Sequence, residues 1–395
     1  MKNILVLTTT YPRWLNDTEP AFVHNLNIEL AKQDKVFVLT PHAKNSKKKE
    51  TIDEINIYRY RYFYPLSLQR LAYDGGIVPK IKSNFLYVFQ IPFLCLAMLI
   101  ATTRYLKTNP VDVIHAHWVL PQGLIALIAI KLSKSKARLL VTSHGADLFS
   151  LKGWLFVKLK KLVFEKADGV TVVSNAMKQF CHDALDITRN ISVLSMGIDV
   201  ENKFIETTPF EQRKGIVYIG RLVEKKGVDL LIDAIANFKG NYENNLQLTI
   251  VGDGLLKSQL KKQVQSLGLT DRVRFVGGVT SDQVSKYLNA AKVCVMPSRI
   301  AKSGDQEGLG LVAGEAIACG CVCIVSDLPA IKDVHSCKEL QFESDNVQSL
   351  YETLNYVFNN EQQAKSYSNE LKSRVINTFS WTEVGSKYKK VIDSL

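Results

Sequence analysis

Several patterns that define common protein classes are missing from this sequence. None of its seven cysteines forms a C-x-x-C pair or a zinc-type spacing, which argues against a structural zinc site. Cys319, Cys321 and Cys323 alternate across the end of a predicted helix and a strand, as small core residues do. We therefore expect free thiols in a reducing, cytosolic compartment.

No apolar segment is clearly long enough for a transmembrane helix. The most apolar stretch, Asn84 to Ala101, is about one turn shorter than the ~20 residues that a bilayer requires. Gln90 and Pro92 also interrupt it, so we expect a helix of the protein core. The chain enters a predicted strand at Asn3, which leaves no room for a signal peptide, and none is expected.

Acidic residues are fewer than basic ones: 38 Asp and Glu against 50 Lys and Arg give a net charge of +12. Such a charge suits nucleotide phosphates, nucleic acid or an anionic membrane surface. Nucleic-acid binding calls for aromatic and basic side chains interleaved on one surface, and only the predicted strand Ile57 to Phe63 alternates in this way. We expect no nucleic-acid partner. The segment Leu151 to Lys166 is amphipathic and lysine-rich; it could rest on anionic lipid headgroups, but an ordinary helix covering a sheet is favoured.

Two successive runs of alternating strands and helices indicate an α/β protein with two doubly wound domains facing a cleft. A length of 395 residues also favours two domains. The second run begins with the predicted strand Gly215 to Ile219, after a polar segment from Asn202 to Arg213 that we interpret as a linker. The predicted divisions are residues 1–200, 201–377 and a C-terminal helix within 378–395.

Polar residues of the first half follow predicted strands, and doubly wound sheets bind ligands at the carboxyl ends of their strands. The loop from Thr8 to Pro20, which contains Asp17, is expected to form one wall of a site. His117, His144 and Asp147 follow two further strands. A catalytic role and a structural, hydrogen-bonded role are equally compatible with the position of His144.

The segment Met296 to Val325 combines two carboxylates with a glycine-rich turn between buried strands. Glu307 lies just before a predicted helix and Glu315 about two turns inside it, eight positions on; at the helical repeat they would point in similar directions, roughly 12 Å from each other. Gly308 and Gly310 would leave backbone N–H groups open at the helix start, which is an anion site. Either glutamate could be merely solvated, but the apolar neighbours of Glu315 argue that it has a partner.

Arg221 and Lys226 follow the first strand of the second half. A guanidinium fork, an ammonium group and helix N–H groups can together neutralise a departing diphosphate without a metal ion. The sequence has no Asp-x-Asp at a predicted strand end that would hold a divalent ion. We therefore expect neither a metal nor a separate cofactor.

In combination these residues resemble the retaining, GT-B-fold glycosyltransferases of family 4. The resemblance covers nearly the whole chain. The motifs that carry it are TTTYPRW, VDVIHAHW, TSHGADLF and VLSMGID in the first half, and GRLVEKKGVDLL (Gly220 to Leu231), IVGDG (Ile250 to Gly254), VRFVGGV (Val273 to Val279) and EGLGLVAGEAIACG (Glu307 to Gly320) in the second.

The resemblance implies transfer of a hexose or N-acetylhexosamine from a UDP- or GDP-sugar to a saccharide acceptor, with retention of configuration. Arg221 and Lys226 would bind the diphosphate, Glu307 the transferred sugar and Glu315 the ribose. The implied donor side also includes Gly277 and the backbone of Gly308, Leu309, Gly310 and Leu311. The implied catalytic and acceptor side comprises His144, Asp147, Asp17 and His117, and the last helix would pack back on the first domain.

The sequence departs from the family pattern at two places, and two alternative functions stay open. The loop from Thr8 to Pro20 lacks the usual glycine pair, and Pro329-Ala330 replaces a Gly-Gly. The basic first half suits a lipid-linked acceptor at the cytoplasmic face of an inner membrane, in polysaccharide or glycan assembly. A nucleotide-sugar epimerase of the same fold would act on the donor alone. A non-enzymatic basic protein that binds membrane or nucleic acid would leave the two glutamates and the glycine-rich turn unexplained.

Overall fold

The computed structural model divides the chain into two compact units. It describes every residue except 16, 18, 20, 74–76, 78–79, 82–83, 150, 152 and 239–245. The first unit comprises Met1–Val173, Met177–Gly197 and Trp381–Leu395, and the second comprises Ser174–Ala176 and Ile198–Ser380. Each is built on its own sheet, so the prediction of two doubly wound α/β domains is confirmed.

The first unit contains an eight-stranded sheet in the order β3-β4-β2-β1-β5-β6-β7-β8. Its strands are β1 (Asn3–Leu7), β2 (Lys35–Pro41), β3 (Lys49–Ile52), β4 (Ile55–Tyr60), β5 (Val113–His117), β6 (Arg138–Ser143), β7 (Gly169–Val172) and β8 (Ser192–Val193). All neighbours are parallel except β3, which runs antiparallel to β4. The charged stretch from Lys44 to Glu50 is typical of a solvated loop, but it ends in a strand, because Lys49 and Glu50 pair with β4.

Helices flank this sheet, and irregular turns connect several of them. They are α1 (Phe22–Ala31), α2 (Ile91–Thr108), α3 (Leu124–Ser133), the single turn α4 (Ala146–Phe149), α5 (Trp154–Lys166) and α6 (Asn175–Asp183). Short 3-10 helices span Leu66–Leu68 and Phe85–Gln90, and a wide turn spans Val119–Gly123. The 3-10 helix Phe85–Gln90 leads directly into α2.

Helix α2 is only partly a core helix, so that prediction is wrong for half of its surface. One side is buried at every fourth residue, by Leu94, Met98, Thr102 and Leu106. The other side exposes Phe93, Leu96 and Ile100 by 52, 54 and 41%. With the preceding 3-10 helix, Phe85–Thr108 is long and apolar enough to cross a membrane by length and composition alone. Here its buried side packs within the first unit.

The second unit contains a six-stranded, all-parallel sheet in the order β11-β10-β9-β12-β13-β14. The strands are β9 (Ile216–Ile219), β10 (Leu248–Val251), β11 (Val273–Gly277), β12 (Val293–Met296), β13 (Val322–Ser326) and β14 (Gln341–Phe342). The helices are α7 (Val228–Ala236), α8 (Lys257–Ser266), α9 (Ser281–Ala290), α10 (Leu311–Ala318), α11 (Val347–Asn359) and α12 (Glu361–Phe379). Cys319, Cys321 and Cys323 are buried free thiols, as expected.

Two elements around the end of the chain complete the units. The 19-residue helix α12 had not been predicted, because its sequence is largely polar; its buried side is Ala364, Ser368, Leu371, Val375 and Phe379. The last helix, α13 (Trp381–Ser394), belongs to the first unit. There the Lys2 ammonium donates to the carbonyl of Ile392 at 2.6 Å, and the Tyr388 hydroxyl donates to the carbonyl of Leu194 at 3.1 Å.

Both sheets reverse their winding direction beside their first strand. In the first unit β1 lies between β2 and β5, and in the second β9 lies between β10 and β12. Neighbouring chain connections leave such a point in opposite directions and open a crevice at the carboxyl ends of the strands. The topology therefore locates a candidate site at the ends of β1 and β5, and another at the ends of β9 and β12.

Candidate active site

Glycines bring the loops at the carboxyl edge of the second sheet into close contact. At Gly252, with φ 146°, an added Cβ would lie 1.9 Å from the carbonyl oxygen of Gly220. At Gly227, with φ 60°, it would lie 1.9 Å from the carbonyl oxygen of Pro297. The N–H of Gly252 also donates to the carbonyl of Gly277 at 2.8 Å. Side chains cannot fit at these contacts, so the strand ends meet through bare backbone.

An ion pair joins the loops that follow β9 and β12. The Lys226 ammonium lies 3.0 Å from Oε1 of Glu307, which is only 8% exposed. Burial alone would raise the pKa of Glu307, but the positive charges of Lys226, Lys225 and Arg221 outweigh it and lower that pKa. Glu307 is therefore a carboxylate at neutral pH, held against one of the cations predicted to bind diphosphate.

A set of contacts that sequence patterns did not reveal fixes this pair. The Lys225 ammonium donates to Asp305 at 3.1 Å, and the Arg299 guanidinium donates to both oxygens of Asp229 at 2.7 Å. The N–H of Arg299 also donates to the carbonyl of Lys225 at 2.9 Å. These bonds tie the loop before Glu307 to the turn after β9. No periodicity marks such a loop, so only the tertiary contacts identify it.

Arg221 lies two positions after the last residue of β9 and has an exposed side chain. Its backbone carbonyl accepts a hydrogen bond from the Tyr218 hydroxyl at 3.0 Å. Within the described part of the chain, no carboxylate lies at ion-pair distance from its guanidinium. The Arg221 side chain is thus a cation available to an incoming anion, close enough to Glu307 to lower the pKa of that residue.

The glycine-rich turn does not form the helix start that the sequence predicts. Helix α10 begins only at Leu311, after Gly310 adopts φ 81°. Glu315 therefore lies about one turn inside the helix, and residues 307–310 are irregular. The prediction of two helical turns between Glu307 and Glu315, from which their similar direction was inferred, is therefore wrong. Gly308 and the buried Leu309 belong to the irregular turn, and among the described residues no side chain caps the first amides of α10.

Glu315 and Glu307 have opposite protonation tendencies although both feel the charge of Lys226. Burial raises the pKa of Glu315 to about 7, and the charges of Lys203 and Lys226 offset only part of that rise. Near neutral pH Glu315 is therefore close to half protonated. The partner predicted for Glu315 is not found: among the described residues no hydrogen bond or ion pair involves its carboxylate, whose negative charge is therefore poorly compensated.

In the first unit, His117 and His144 form a hydrogen-bonded pair at the ends of β5 and β6. Nδ1 of His117 lies 2.9 Å from Nε2 of His144, and the rings stack with 5.2 Å between centroids. Burial, followed by the charge of His115, lowers the pKa of His144 to about 3, and burial lowers that of His117 well below its ordinary value. Both rings are therefore neutral at physiological pH.

The surroundings of His117 indicate which nitrogen carries each proton. Nε2 of His117 is buried and has no hydrogen-bond partner within the described residues. Buried N–H groups without a partner are rarer in proteins than buried acceptors without one. We therefore infer that His117 holds its proton on Nδ1 and donates to Nε2 of His144. That leaves the proton of His144 on Nδ1, so this ring presents an N–H donor.

Two aromatic rings hold His144 in place. The Phe22 and Trp118 ring centroids lie 4.9 and 5.0 Å from that of His144. Trp118 has φ 79°, an uncommon conformation for a bulky residue, and strained residues of this kind cluster at functional sites. The sequence contains Trp118 in its HAHW motif, but the backbone conformation could not be inferred from it.

Asp147 and Asp17 are both occupied by contacts within the first unit. The Asp147 carboxylate accepts from the N–H of Val119 at 2.6 Å and from the Ser143 hydroxyl at 2.9 Å, and it is 4% exposed. Asp17 accepts from the backbone and the guanidinium of Arg13. These contacts favour a positioning role for Asp147 over the predicted catalytic one. Asp17 stabilises its own loop through its bonds to Arg13.

Two family models match successive parts of the chain. The model for Glycosyltransferase Family 4 matches residues 21–202, and the model for Glycosyl transferases group 1 matches residues 199–374. Together they span most of both units. The second match includes every predicted donor-side residue, from Arg221 to Glu315.

Curated proteins and solved structures are also similar to this chain. The N-acetyl-alpha-D-glucosaminyl L-malate synthase of Bacillus anthracis is 25% identical over 68% of this chain and 70% of its own length. A GDP-mannose-dependent alpha-(1-6)-phosphatidylinositol monomannoside mannosyltransferase of Mycobacterium tuberculosis is 28% identical over 51% of this chain and 55% of its own length. The structure of Anabaena Alr3699/HepE in complex with UDP-glucose matches 100% of both chains with a TM-score of 0.74 at 17% identity, which shows a shared fold.

Proposed function

Because this chain belongs to the group 1, family 4 glycosyltransferases with the GT-B fold, we propose that it transfers a hexose or N-acetylhexosamine from a UDP- or GDP-sugar to a saccharide acceptor. The observation that carries this proposal is the Lys226–Glu307 ion pair beside the uncapped start of α10, at the winding reversal of the second sheet. Cation, carboxylate and open amides together match the diphosphate and the hexose of such a donor.

The diphosphate binds to Arg221, Lys226 and the first amides of α10. Arg221 supplies a fork of two N–H donors, and Lys226 a point charge. When the diphosphate approaches, Lys226 is shared between it and Glu307, which frees carboxylate lone pairs for the hydroxyls of the transferred sugar. As the bond to the anomeric carbon breaks, negative charge grows on the phosphate and these fixed donors stabilise it.

Glu315 accepts hydrogen bonds from the ribose hydroxyls. Burial leaves the ionised form of Glu315 poorly solvated, as its pKa of about 7 indicates, so two hydroxyl donors strongly stabilise that form. Donor binding therefore lowers the pKa of Glu315. This role agrees with its position one turn inside α10, behind the amides that hold the phosphates.

The reaction retains configuration by attack on the same face from which the diphosphate leaves. Asp147 has both oxygens occupied and Glu307 is paired with Lys226, which makes both poor candidates for a nucleophile of a covalent intermediate. The departing phosphate takes the proton of the acceptor hydroxyl. His144, neutral and protonated on Nδ1, donates a hydrogen bond to the sugar or acceptor and does not act as a base.

The acceptor is a saccharide carried on a lipid, and the enzyme works at the cytoplasmic face of a membrane in polysaccharide or glycan assembly. Two observations support this. The name of the mycobacterial relative describes a phosphatidylinositol monomannoside acceptor, and the chain carries a net charge of +12. Anionic lipids attract such a protein.

The experiment is a screen of UDP- and GDP-sugars by thermal shift, followed by transfer assays with Glu307→Gln and Arg221→Ala. We expect one nucleotide sugar to raise the Tm and both variants to lose at least tenfold in kcat/KM. Glu370→Gln is the matched control, since Glu370 is an exposed carboxylate on α12. Near wild-type transfer by both site variants would refute the assignment, and conversion of the donor without acceptor would indicate an epimerase.

A further inference from the structure

Exposed apolar side chains are concentrated at the start of two helices of the first unit. Phe85, Leu86, Phe89, Phe93 and Leu96, in the 3-10 helix and α2, are 69, 66, 64, 52 and 54% exposed. Trp154, Leu155 and Phe156, at the start of α5, are 76, 49 and 40% exposed. We call these eight side chains the apolar rim. A soluble protein rarely exposes so many large apolar groups together unless they form an interaction surface.

Both parts of the apolar rim lie toward the carboxyl edge of the first sheet. The side chain of Gln69 bridges the chain after β2 and after β4 by donating to the carbonyl of His42 and accepting from the N–H of Tyr62. Gln90, at the start of α2, donates to the carbonyl of Leu68, the residue before Gln69. Helix α5 begins ten residues after His144, which follows β6. The apolar rim therefore flanks the strand ends that carry His117 and His144.

Helix α3 connects the two parts. Ile125 of α3 packs in one cluster with Leu94 and Met98 of α2. On its other side Gly123, just before α3, lies against Val163 of α5. Neighbouring helix axes are 8–10 Å apart, so the axes of α2 and α5 are separated by roughly 20 Å. Helix α3 thus places both helices in the same part of the first unit.

The charged side chains farther along α2 and α5, beyond the apolar rim, are almost all positive. No Asp or Glu occurs from Gly75 to Val111, and α2 carries exposed Arg104 and Lys107. Helix α5 presents three lysines outside the core, Lys158, Lys161 and Lys166, against a single Glu165, while its fourth, Lys160, is buried. An open groove of about 1100 Å³ between α2 and strands β2 to β4 is lined by five basic side chains: Lys48, Lys49, Arg61, Arg104 and Lys107. Its one acid, Glu50, pairs with Arg59.

We propose that the apolar rim docks the first unit onto an anionic phospholipid bilayer, with α2 lying along the surface rather than across it. The buried side of α2 is occupied by the unit's own core, so only its outer side can enter lipid. Aromatic and aliphatic side chains enter the headgroup boundary while lysines and arginines meet the lipid phosphates. Docking holds the edge with His117 and His144 at headgroup level. Only the purpose of docking, which is to reach a lipid-linked acceptor, rests on the proposed function.

Vesicle sedimentation of the full chain, without donor or acceptor, tests the proposal. Vesicles of phosphatidylglycerol and phosphatidylcholine are compared with phosphatidylcholine alone, at low and high salt. We expect binding to the anionic vesicles only, weakened by salt. The double variants Phe93→Ser/Leu96→Ser and Trp154→Ser/Phe156→Ser should each lose at least tenfold in affinity. Leu255→Ser is the matched control, since Leu255 is 71% exposed in the second unit.

Absence of wild-type binding to anionic vesicles, or unchanged binding of both double variants, would overturn the proposal. A concentration-dependent dimer without lipid that Leu96→Ser abolishes would identify a second copy of the chain as the partner instead and would also overturn it. Circular dichroism and the thermal shift with nucleotide sugar show that each variant is folded. Because donor binding is measured separately, failure of docking leaves the proposed transfer reaction standing, and the reverse also holds.

Discussion

The two sheets end in sites of the same topology, but one site is neutral and the other is charged. At the first sheet, His117 and His144 are buried, neutral and joined to each other. At the second sheet, Lys226 and Glu307 are charged, and Arg221 adds a free cation. Winding reversal creates a crevice in both, so topology alone does not decide what binds there. The side chains do: a neutral N–H donor suits hydroxyl groups, and paired charges suit a diphosphate.

The largest effect is expected from breaking the charged pair. Lys226→Met would leave the Glu307 carboxylate buried without its main compensating charge, and breaking buried pairs typically costs about 3–5 kcal/mol. We expect the pKa of Glu307 to rise, the free energy of unfolding to fall by about 3 kcal/mol, and transfer to fall at least a hundredfold.

Chemical denaturation and transfer assays measure both effects. The double variant Lys226→Met/Glu307→Gln serves as control: it should regain most of the stability and none of the activity. A single Lys226→Met protein as stable as wild type would contradict the view that these charges depend on each other.

The next largest effect is a pH-dependent change in stability at Glu315, whose pKa is raised whereas that of Glu307 is lowered. With a folded-state pKa of about 7 against an ordinary value of 4.5, the folded protein binds an extra proton between these values. The resulting stabilisation is fully present below pH 4.5 and is lost as pH rises through 7. At ~1.4 kcal/mol per pH unit its upper limit is about 3.5 kcal/mol. Glu315→Gln should therefore be more stable than wild type at pH 8 and similar at pH 5, in thermal unfolding.

Donor binding should show the opposite pH trend. Ribose hydroxyls bind the carboxylate, so wild-type affinity for the nucleotide sugar should fall roughly tenfold from pH 8 to pH 6, in proportion to the ionised fraction. Calorimetric titration of wild type and Glu315→Gln measures this. A pH-independent wild-type affinity would show that Glu315 does not contact the donor.

The smallest effect is expected in the first unit, where no charge is involved. His117→Leu removes the donor that keeps the proton of His144 on Nδ1, and loss of one hydrogen bond of about 1.4 kcal/mol corresponds to a tenfold lower kcat. His117→Asn retains an N–H near that position and should recover most of the rate. Imidazole ¹⁵N spectra should show one tautomer of His144 in wild type and a mixture in His117→Leu. A mixture already in wild type would refute the assignment.

Much of the fold followed from patterns in the sequence because its determinants are local. Buried parallel strands such as Ile4 to Leu7 and Val293 to Met296 are short apolar runs, and each is followed by a turn with glycine or proline. Helix α12 is not predicted because it is largely polar and has too few apolar residues to mark a buried side. For α2 composition was misleading: an apolar segment suggests burial, but the sheet covers only one of its sides.

The candidate site was partly accessible in the same way. Arg221, Lys226, Glu307 and Glu315 were identified because residue type and position after a strand indicate chemistry. The sequence could not show that Lys226 and Glu307 pair, that Arg299 braces their loops, or that α10 starts late at Leu311. Each of these depends on contacts between segments far apart in the chain.

By itself, the sequence determined the alternation of strands and helices, the two-unit organisation and the identity of the charged groups, because periodicity and residue chemistry act over a few neighbouring positions. Only the tertiary structure decided the protonation of those groups. Burial and neighbouring charges give Glu307 a lowered pKa, Glu315 one of about 7 and His144 one of about 3. These shifts arise from desolvation and from charges brought together by folding, which no local pattern encodes.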